Sequence, residues 1–393
     1  MADRKFIQGV IVGAVGAICI GAGLWVGNVL DKKGTVLSDE KFVEKLTLLE
    51  NMIDAYYLND KDEEELKEGV YAGLIYGLGD PYSRYYTAEE YEDAQTSTDG
   101  AYVGIGVLIQ KNTEGGVEIV ECYEGGPGEK AGLETGDVIS AVDGTDITEL
   151  SSTEVVKMIK DRGGEEVELT VHREGEGDAF DVAIPLDDVE LPYVFHEMLD
   201  DETGYIRISE FTGVTYSQYT EAFDELEAKG MEKLVVDLRN NPGGLLSSVC
   251  DVLNDILPEG LIVYTEDKYG NREEKKSDGE NPLEIPLAVL VNESSASASE
   301  IFAGAVQDYE IGTIVGTTTY GKGVVQSIRT LEDGSAVKLT VSNYYTPKGN
   351  NINEVGIEPD VEVKLDTKLL NKEEISHEED NQLQKALEIL EGK

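Results

Sequence analysis

Histidine is nearly absent from this chain. His172, His196 and His377 are its three, none of them one helical turn from another histidine or inside an HExxH pattern. That scarcity removes the usual histidine metal sets and leaves no imidazole close to most of the chain. Cysteine is as scarce. Cys19, Cys122 and Cys250 form neither a disulfide framework nor a paired metal-ligand spacing, so each reads as a small apolar residue. Positive charge is short as well, with 32 basic residues against 80 acidic ones and a net charge of −48. A surface that negative repels phosphate backbones and excludes nucleic acid as a partner. It reads as a solvated acidic surface suited to an exposed or salty environment. The 40% hydrophobic content and 43 glycines are ordinary for a mixed α/β protein, and 393 residues are enough for two or three domains.

One hydrophobic run stands out. Residues 6–29 carry no charge, between Asp3-Arg4-Lys5 and Asp31-Lys32-Lys33. At about 1.5 Å per residue such a helix crosses a hydrocarbon core of ~30 Å with some tilt. The run is longer than the apolar part of a signal peptide, and no clean cleavage site follows it. A retained transmembrane anchor is therefore expected, with membrane contact through this helix. The flanking charges are balanced and do not set its orientation.

Beyond the anchor, residues 38–98 read as a helical N-terminal region. Phe42, Leu46, Leu49, Met52, Ile53 and Tyr56 recur at helical spacing, a second helix is expected from Glu63 to Tyr76, and Thr87 with Glu90 forms a helix-start signal. Residues 99–185 change to short strand-like runs separated by glycine-rich turns, with one helix near Ser152–Lys160. Residues 186–370 alternate strands with helices, the pattern of an α/β core. A charged helical tail, 371–393, carries an apolar stripe at Leu383, Ala386, Leu387 and Leu390.

Two strings in the second region bear on binding. In Tyr102-Val103-Gly104-Ile105-Gly106-Val107, alternate glycines let backbone N–H groups converge into an anion nest, and the strand behind offers an edge for a peptide. Further on, Gly125 to Ile139 resembles the P-A-x-x-A-G-L-x-x-G-D-x-I run of bacterial PDZ domains, with Gly128 in place of an alanine. Gly104, Ile105, Gly106 and Val107 would then bind a peptide carboxylate.

Three strings in the α/β core carry chemistry. Asp237 to Leu245 places Gly243-Gly244 at a strand-to-helix junction, where freed N–H groups suit an oxyanion. Asn292 to Ile301 holds Ser294, Ser295, Ser297 and Ser299 at a second such junction, and composition does not choose among the four. In Thr319 to Gln326, Lys322 sits between two glycines. A lysine acts as a general base only when burial brings its pKa toward neutrality, and no histidine lies between His196 and His377 to do that work instead. Ser38-Asp39-Glu40-Lys41 also matches S-x-x-K, but in charged surroundings without K-T-G or S-D-N companions; it reads as a helix start.

Together with Gly79-Asp80-Pro81-Tyr82-Ser83, Thr346-Pro347-Lys348-Gly349 and Gly356 to Asp360, these strings resemble the carboxyl-terminal processing, or tail-specific, proteases from about residue 38 to the end. In that family a serine and a lysine 25 residues later form a dyad, with a glutamine four residues further on. Here the spacing selects Ser297, Lys322 and Gln326. The resemblance implies Ser297 as nucleophile, Lys322 as base, Gln326 orienting the lysine, and N–H groups of Gly243 and Ala298 as the oxyanion hole. It implies that Lys160 of the PDZ domain senses bound substrate, with Arg162 as a substitute, and that the core has a crotonase-like ββα fold. Asp308 is read as a helix-surface residue.

The expected protein is an α+β multidomain serine endopeptidase, anchored in a cell membrane with its catalytic part outside the cytoplasm. Its substrates would be proteins with apolar C-termini, and terminal segments would support a homodimer. No metal, nucleotide or other cofactor is implied. The alternative is a catalytically silent PDZ scaffold of the cell envelope.

Overall fold

The computed structural model describes residues 35–162, 166–175, 177–370, 372 and 375–392. The anchor expected at 6–29 lies outside them. Among the described residues no helix is long and apolar enough to cross a membrane.

Two compact units divide at Gly69/Val70. In the first, a 3-10 turn at Val36–Ser38 leads into helix α1, Glu40–Tyr56. Asp39 caps it, accepting the Lys41 N–H at 3.0 Å, so the cap falls one residue after Ser38. Helix α2, Glu63–Tyr76, begins with three glutamates that face the positive end of the helix dipole.

The boundary falls within α2, and the second unit continues with strand β1, Arg84–Tyr86, and helix α3, Ala88–Asp99, whose capping box joins Thr87 and Glu90. Strand β1 pairs antiparallel with Ala336–Lys338, late in the chain. Strands β2 (Ala101–Gly104), β3 (Val107–Lys111) and β4 (Val117–Cys122) follow, then the single turn α4 (Pro127–Lys130). Next come β5 (Val138–Val142), β6 (Thr145–Asp146), α5 (Ser152–Lys160), β7 (Glu166–His172), β8 (Phe180–Pro185) and β9 (Asp187–Glu190). Strands β3-β4-β5-β7-β8 form one sheet, with β6 on β5, while β2 and β9 pair at its entrance and exit. Alternate burial along β7 puts Val167, Leu169 and Val171 into a core with Ile119, Ile139 and the α5 residues Val155 and Ile159.

The rest of the chain begins with β10 (Val194–Met198), β11 (Thr203–Ile208), α6 (Thr215–Ala228), β12 (Lys233–Asp237) and α7 (Leu246–Asn254). It continues through β13 (Gly260–Asp267), β14 (Arg272–Ser277), β15 (Leu287–Val291), α8 (Ala298–Tyr309) and β16 (Gly312–Gly316). It ends with β17 (Val324–Thr330), β18 (Ala336–Tyr345), β19 (Val361–Glu362) and α9 (Asn381–Leu390). One sheet runs β10-β11-β12-β15-β16-β19, parallel except for β10. Its strands are buried on both faces and read as continuous apolar runs such as Leu287–Val291. Helices α6, α7 and α8 cover one face. Helix α9 covers the other, placing Leu383, Ala386 and Leu390 against Tyr205, Val235, Ala288, Leu290 and Val315. The apolar stripe of the tail thus packs on the chain's own sheet. A second sheet, β1-β18-β13-β14 with β17 on β18, is antiparallel.

Candidate active site

The parallel strands β12 and β15 end at the same side of their sheet, and the two loops leaving them meet. After β12 the chain turns at Asn240 to Gly244, where Gly243 has φ +105°. A Cβ on Gly243 would lie 2.7 Å from Ser297 Cβ and 2.9 Å from Ala298 N, so only glycine lets this loop touch the next one. The loop after β15 ends in Ser297, directly before α8, with φ +54° and ψ −110°. A non-glycine residue held there on a strand-to-helix turn is strained, as nucleophile elbows are.

The four serines are now distinguishable. Ser295 is fully buried and its Oγ donates to Leu238 O at 2.8 Å. Ser299 is fully buried and donates to Asn241 O at 3.0 Å. Ser294 is exposed in the preceding turn. Ser297 alone is strained and partly exposed at the start of the helix, with the Ala298 N–H beside it.

Glu300 organises this corner. Its carboxylate is fully buried and accepts four hydrogen bonds: Thr319 Oγ1 (2.6 Å) and Gly321 N–H (2.7 Å) on Oε1, Ser297 N–H (2.7 Å) and Lys322 N–H (2.9 Å) on Oε2. Tyr344 of β18, also buried, donates toward Ser297 O (3.0 Å) and Lys322 O. Backbone atoms of the expected nucleophile and base are therefore tied to the same two side chains. Sequence reasoning missed both. Ser297-x-x-Glu300 is a legible capping pattern, whereas nothing local marks Tyr344.

Lys322 is half-buried. Burial is the largest influence on its amine and lowers its pKa; the positive charge of Lys338 adds to this, and the carboxylates of Glu300 and Asp80 pull the other way. Its Nζ stands 4.9 Å from the centroid of the Tyr82 ring and makes no hydrogen bond to Ser297 Oγ. Gln326 does not reach the lysine: its Nε2 turns to Val324 O (3.4 Å) and Thr340 Oγ1 (3.3 Å), beside a bulge in the β17–β18 pairing. The Gly243 N–H, expected to face an oxyanion, donates instead to Asn241 Oδ1 at 2.8 Å. Asp308 holds the Thr346–Gly349 turn by accepting the Lys348 N–H at 2.7 Å.

In the other sheet, Gly104, Ile105 and Val107 line a groove of about 260 Å³ with Tyr102, Leu108, Ile109, Val156, Ile159 and Lys160. Gly106, at φ +70°, packs too close to Gly126 and Pro127 to carry a side chain without displacing them. Thr96 of α3 also lines the groove. Lys160 lies 3.8 Å from Asp93 of the same helix, and Lys157 is 3.1 Å from Glu89, so α5 is pinned to α3. Arg162 pairs with Asp143 instead.

Among the described residues no group of histidine, cysteine and carboxylate side chains forms a metal site.

Known proteins match both halves of this arrangement. Residues 202–363 match the model of peptidase family S41, and residues 118–173 match that of the PDZ domain. The chain is 35% identical over 339 residues to the carboxy-terminal processing protease CtpA of Bacillus subtilis (strain 168), covering 86% of this chain and 72% of that one. It is 37% identical over 324 residues to a carboxyl-terminal-processing protease of Synechocystis sp. (strain ATCC 27184 / PCC 6803 / Kazusa), covering 81% and 75%. An S41-type structure solved from Bacteroides fragilis NCTC 9343 shares the fold at a TM-score of 0.50 and 18% identity, over 86% of this chain and 93% of that one. The chain belongs to peptidase family S41 and is a carboxyl-terminal processing serine protease carrying a PDZ domain.

Proposed function

We propose that this protease captures the apolar C-terminus of a protein in the groove around Gly104–Val107 and cleaves the polypeptide at Ser297 through an acyl-enzyme. Residues 99–185 would serve as the binding domain and 186–370 as the crotonase-like catalytic core. Neutral Lys322 takes the Ser297 hydroxyl proton as Oγ attacks the scissile carbonyl carbon. The tetrahedral oxyanion is held by the Ala298 N–H, at the N-terminus of α8, and by the Gly243 N–H once it leaves Asn241. When the C–N bond breaks, the Lys322 ammonium returns its proton to the leaving amine. Water then attacks the ester, giving up a proton to the same lysine, which passes it to Ser297 Oγ as the ester C–O bond breaks and the carboxylic product leaves.

The observation that carries this reading is the strained, partly exposed Ser297 held by Glu300 together with Lys322. The lysine's approach to Ser297 Oγ is left to substrate binding, since catalytic hydrogen bonds often tighten only in the complex. Residues 6–29 would anchor the enzyme in a membrane with the catalytic part outside the cytoplasm.

The test is cleavage of an unstructured protein with an apolar tail by the full-length chain in detergent, beside Ser297→Ala and Lys322→Ala. Both variants are expected to be inactive, and removal of the tail residues is expected to slow the wild-type enzyme. Equal cleavage by all three would end the dyad assignment.

A further inference from the structure

The turn at Asp80–Ser83 lies far outside the S41-matched segment, yet it reaches the lysine. Asp80 Oδ1 accepts the Tyr82 N–H at 3.0 Å, and Ser83 Oγ donates to Asp80 Oδ2. The Thr340 N–H of β18 donates to Ser83 Oγ at 3.1 Å, and the next residues, Arg84–Tyr86, pair with β18. Burial raises the pKa of the Tyr82 hydroxyl, and the neighbouring Tyr320, two residues before Lys322, raises it further. The backbone carrying the ring is thus held by Asp80, Ser83 and β18, with the ring centroid 4.9 Å from Lys322 Nζ.

Resting on the Ser297–Lys322 reading, we propose that Tyr82 is a positioning residue of the proteolytic reaction, covering the Lys322 amine from water and holding it in the active site. A ring in this position has two opposed effects. Its π face favours an ammonium, while its bulk removes water and disfavours one. The charged groups acting on the amine are Lys338 from β18, Glu300 from α8 and Asp80 from the same turn. Burial lowers the Lys322 pKa, and the ring 4.9 Å from its Nζ supplies part of that burial. Taking the ring away lets water reach the amine and keeps it protonated to higher pH.

The experiment is the pH dependence of kcat and KM for the full-length chain and its Tyr82→Phe, Tyr82→Leu and Tyr82→Ala variants on one peptide substrate. Phe keeps the ring and is expected to stay within about threefold of wild type. Ala is expected to lose about tenfold in kcat at neutral pH, with KM little changed and the acid limb of kcat moved up by about one pH unit. Leu moves the limb the same way by less, and carries the test if the Ala variant does not fold. A limb that stays put or moves down overturns the proposal, as does a loss confined to KM. Lys322→Ala is measured alongside. If it remains active, the dyad reading has failed; if it is inactive while the Tyr82 limbs do not move, only the role of Tyr82 has failed.

Discussion

Ser297 and Lys322 are joined through one atom: Glu300 Oε2 accepts the backbone N–H of both, at 2.7 Å and 2.9 Å. The two residues are 25 apart in sequence and on different elements, so this carboxylate sets the distance between the start of α8 and the glycine-flanked loop. Its other oxygen is equally committed, to Thr319 and Gly321. All four donors converge on a side chain with no solvent exposure.

Glu300→Gln should therefore be severe despite its near-identical shape. A carboxamide presents an NH₂ to one of the two donor pairs, leaving buried N–H or O–H groups without acceptors at about 1–3 kcal/mol each. The expected outcome is a loss of more than about 2 kcal/mol in stability and at least tenfold in kcat/KM. Chemical denaturation and steady-state kinetics on the same preparation check both.

The lysine's environment predicts a pH profile. In the proposed mechanism the neutral amine is the active form, so activity should rise as pH rises through the Lys322 pKa. Because burial and Lys338 hold that pKa below the ordinary lysine value of 10.5, the rise comes at lower pH than for a solvated lysine. Lys338→Met removes a like charge, favours the ammonium, and should shift the acid limb upward. The pH dependence of kcat in wild type and variant measures the shift, and a downward movement would contradict the account.

A third prediction concerns the back of the loop that carries Gly243. Arg239 opens that loop and is buried between Asp237 (2.6 Å) and Asp380 (2.7 Å), the second of which caps α9. Asp380→Ala leaves a buried guanidinium short of one partner and removes the helix cap. It should cost about 3 kcal/mol of stability. A thermal melt with a Tm no lower than wild type would contradict the arrangement.

Much of the framework was legible because its signals are local. The capping boxes at Thr87/Glu90 and Ser151/Glu154 and the two-residue alternation of β7 involve neighbours in sequence, and they fold as their patterns require. The candidate serine was different. Ser295 and Ser299 are distinguished from Ser297 only by bonds to Leu238 and Asn241, 57 and 58 residues away, which no local pattern encodes. Glu300 was visible as a helix cap, but its bonds to Gly321 and Lys322 depend on the tertiary fold. The stripe at Leu383–Leu390 marked an apolar face without naming what covers it, and the covering proved to be the chain's own sheet. Gln326 and Gly243 show the converse. Spacing selected the first and the resemblance the second, yet in this structure the carboxamide bonds Thr340 and the N–H bonds Asn241.

The most direct test of the account is covalent labelling of the serine. A fluorophosphonate reacts with an activated serine hydroxyl, and peptide mass spectrometry locates the adduct. The account predicts a single adduct on Ser297, none on Ser294, Ser295 or Ser299, and loss of labelling in Lys322→Ala. Labelling of a different serine, or undiminished labelling without Lys322, would contradict it.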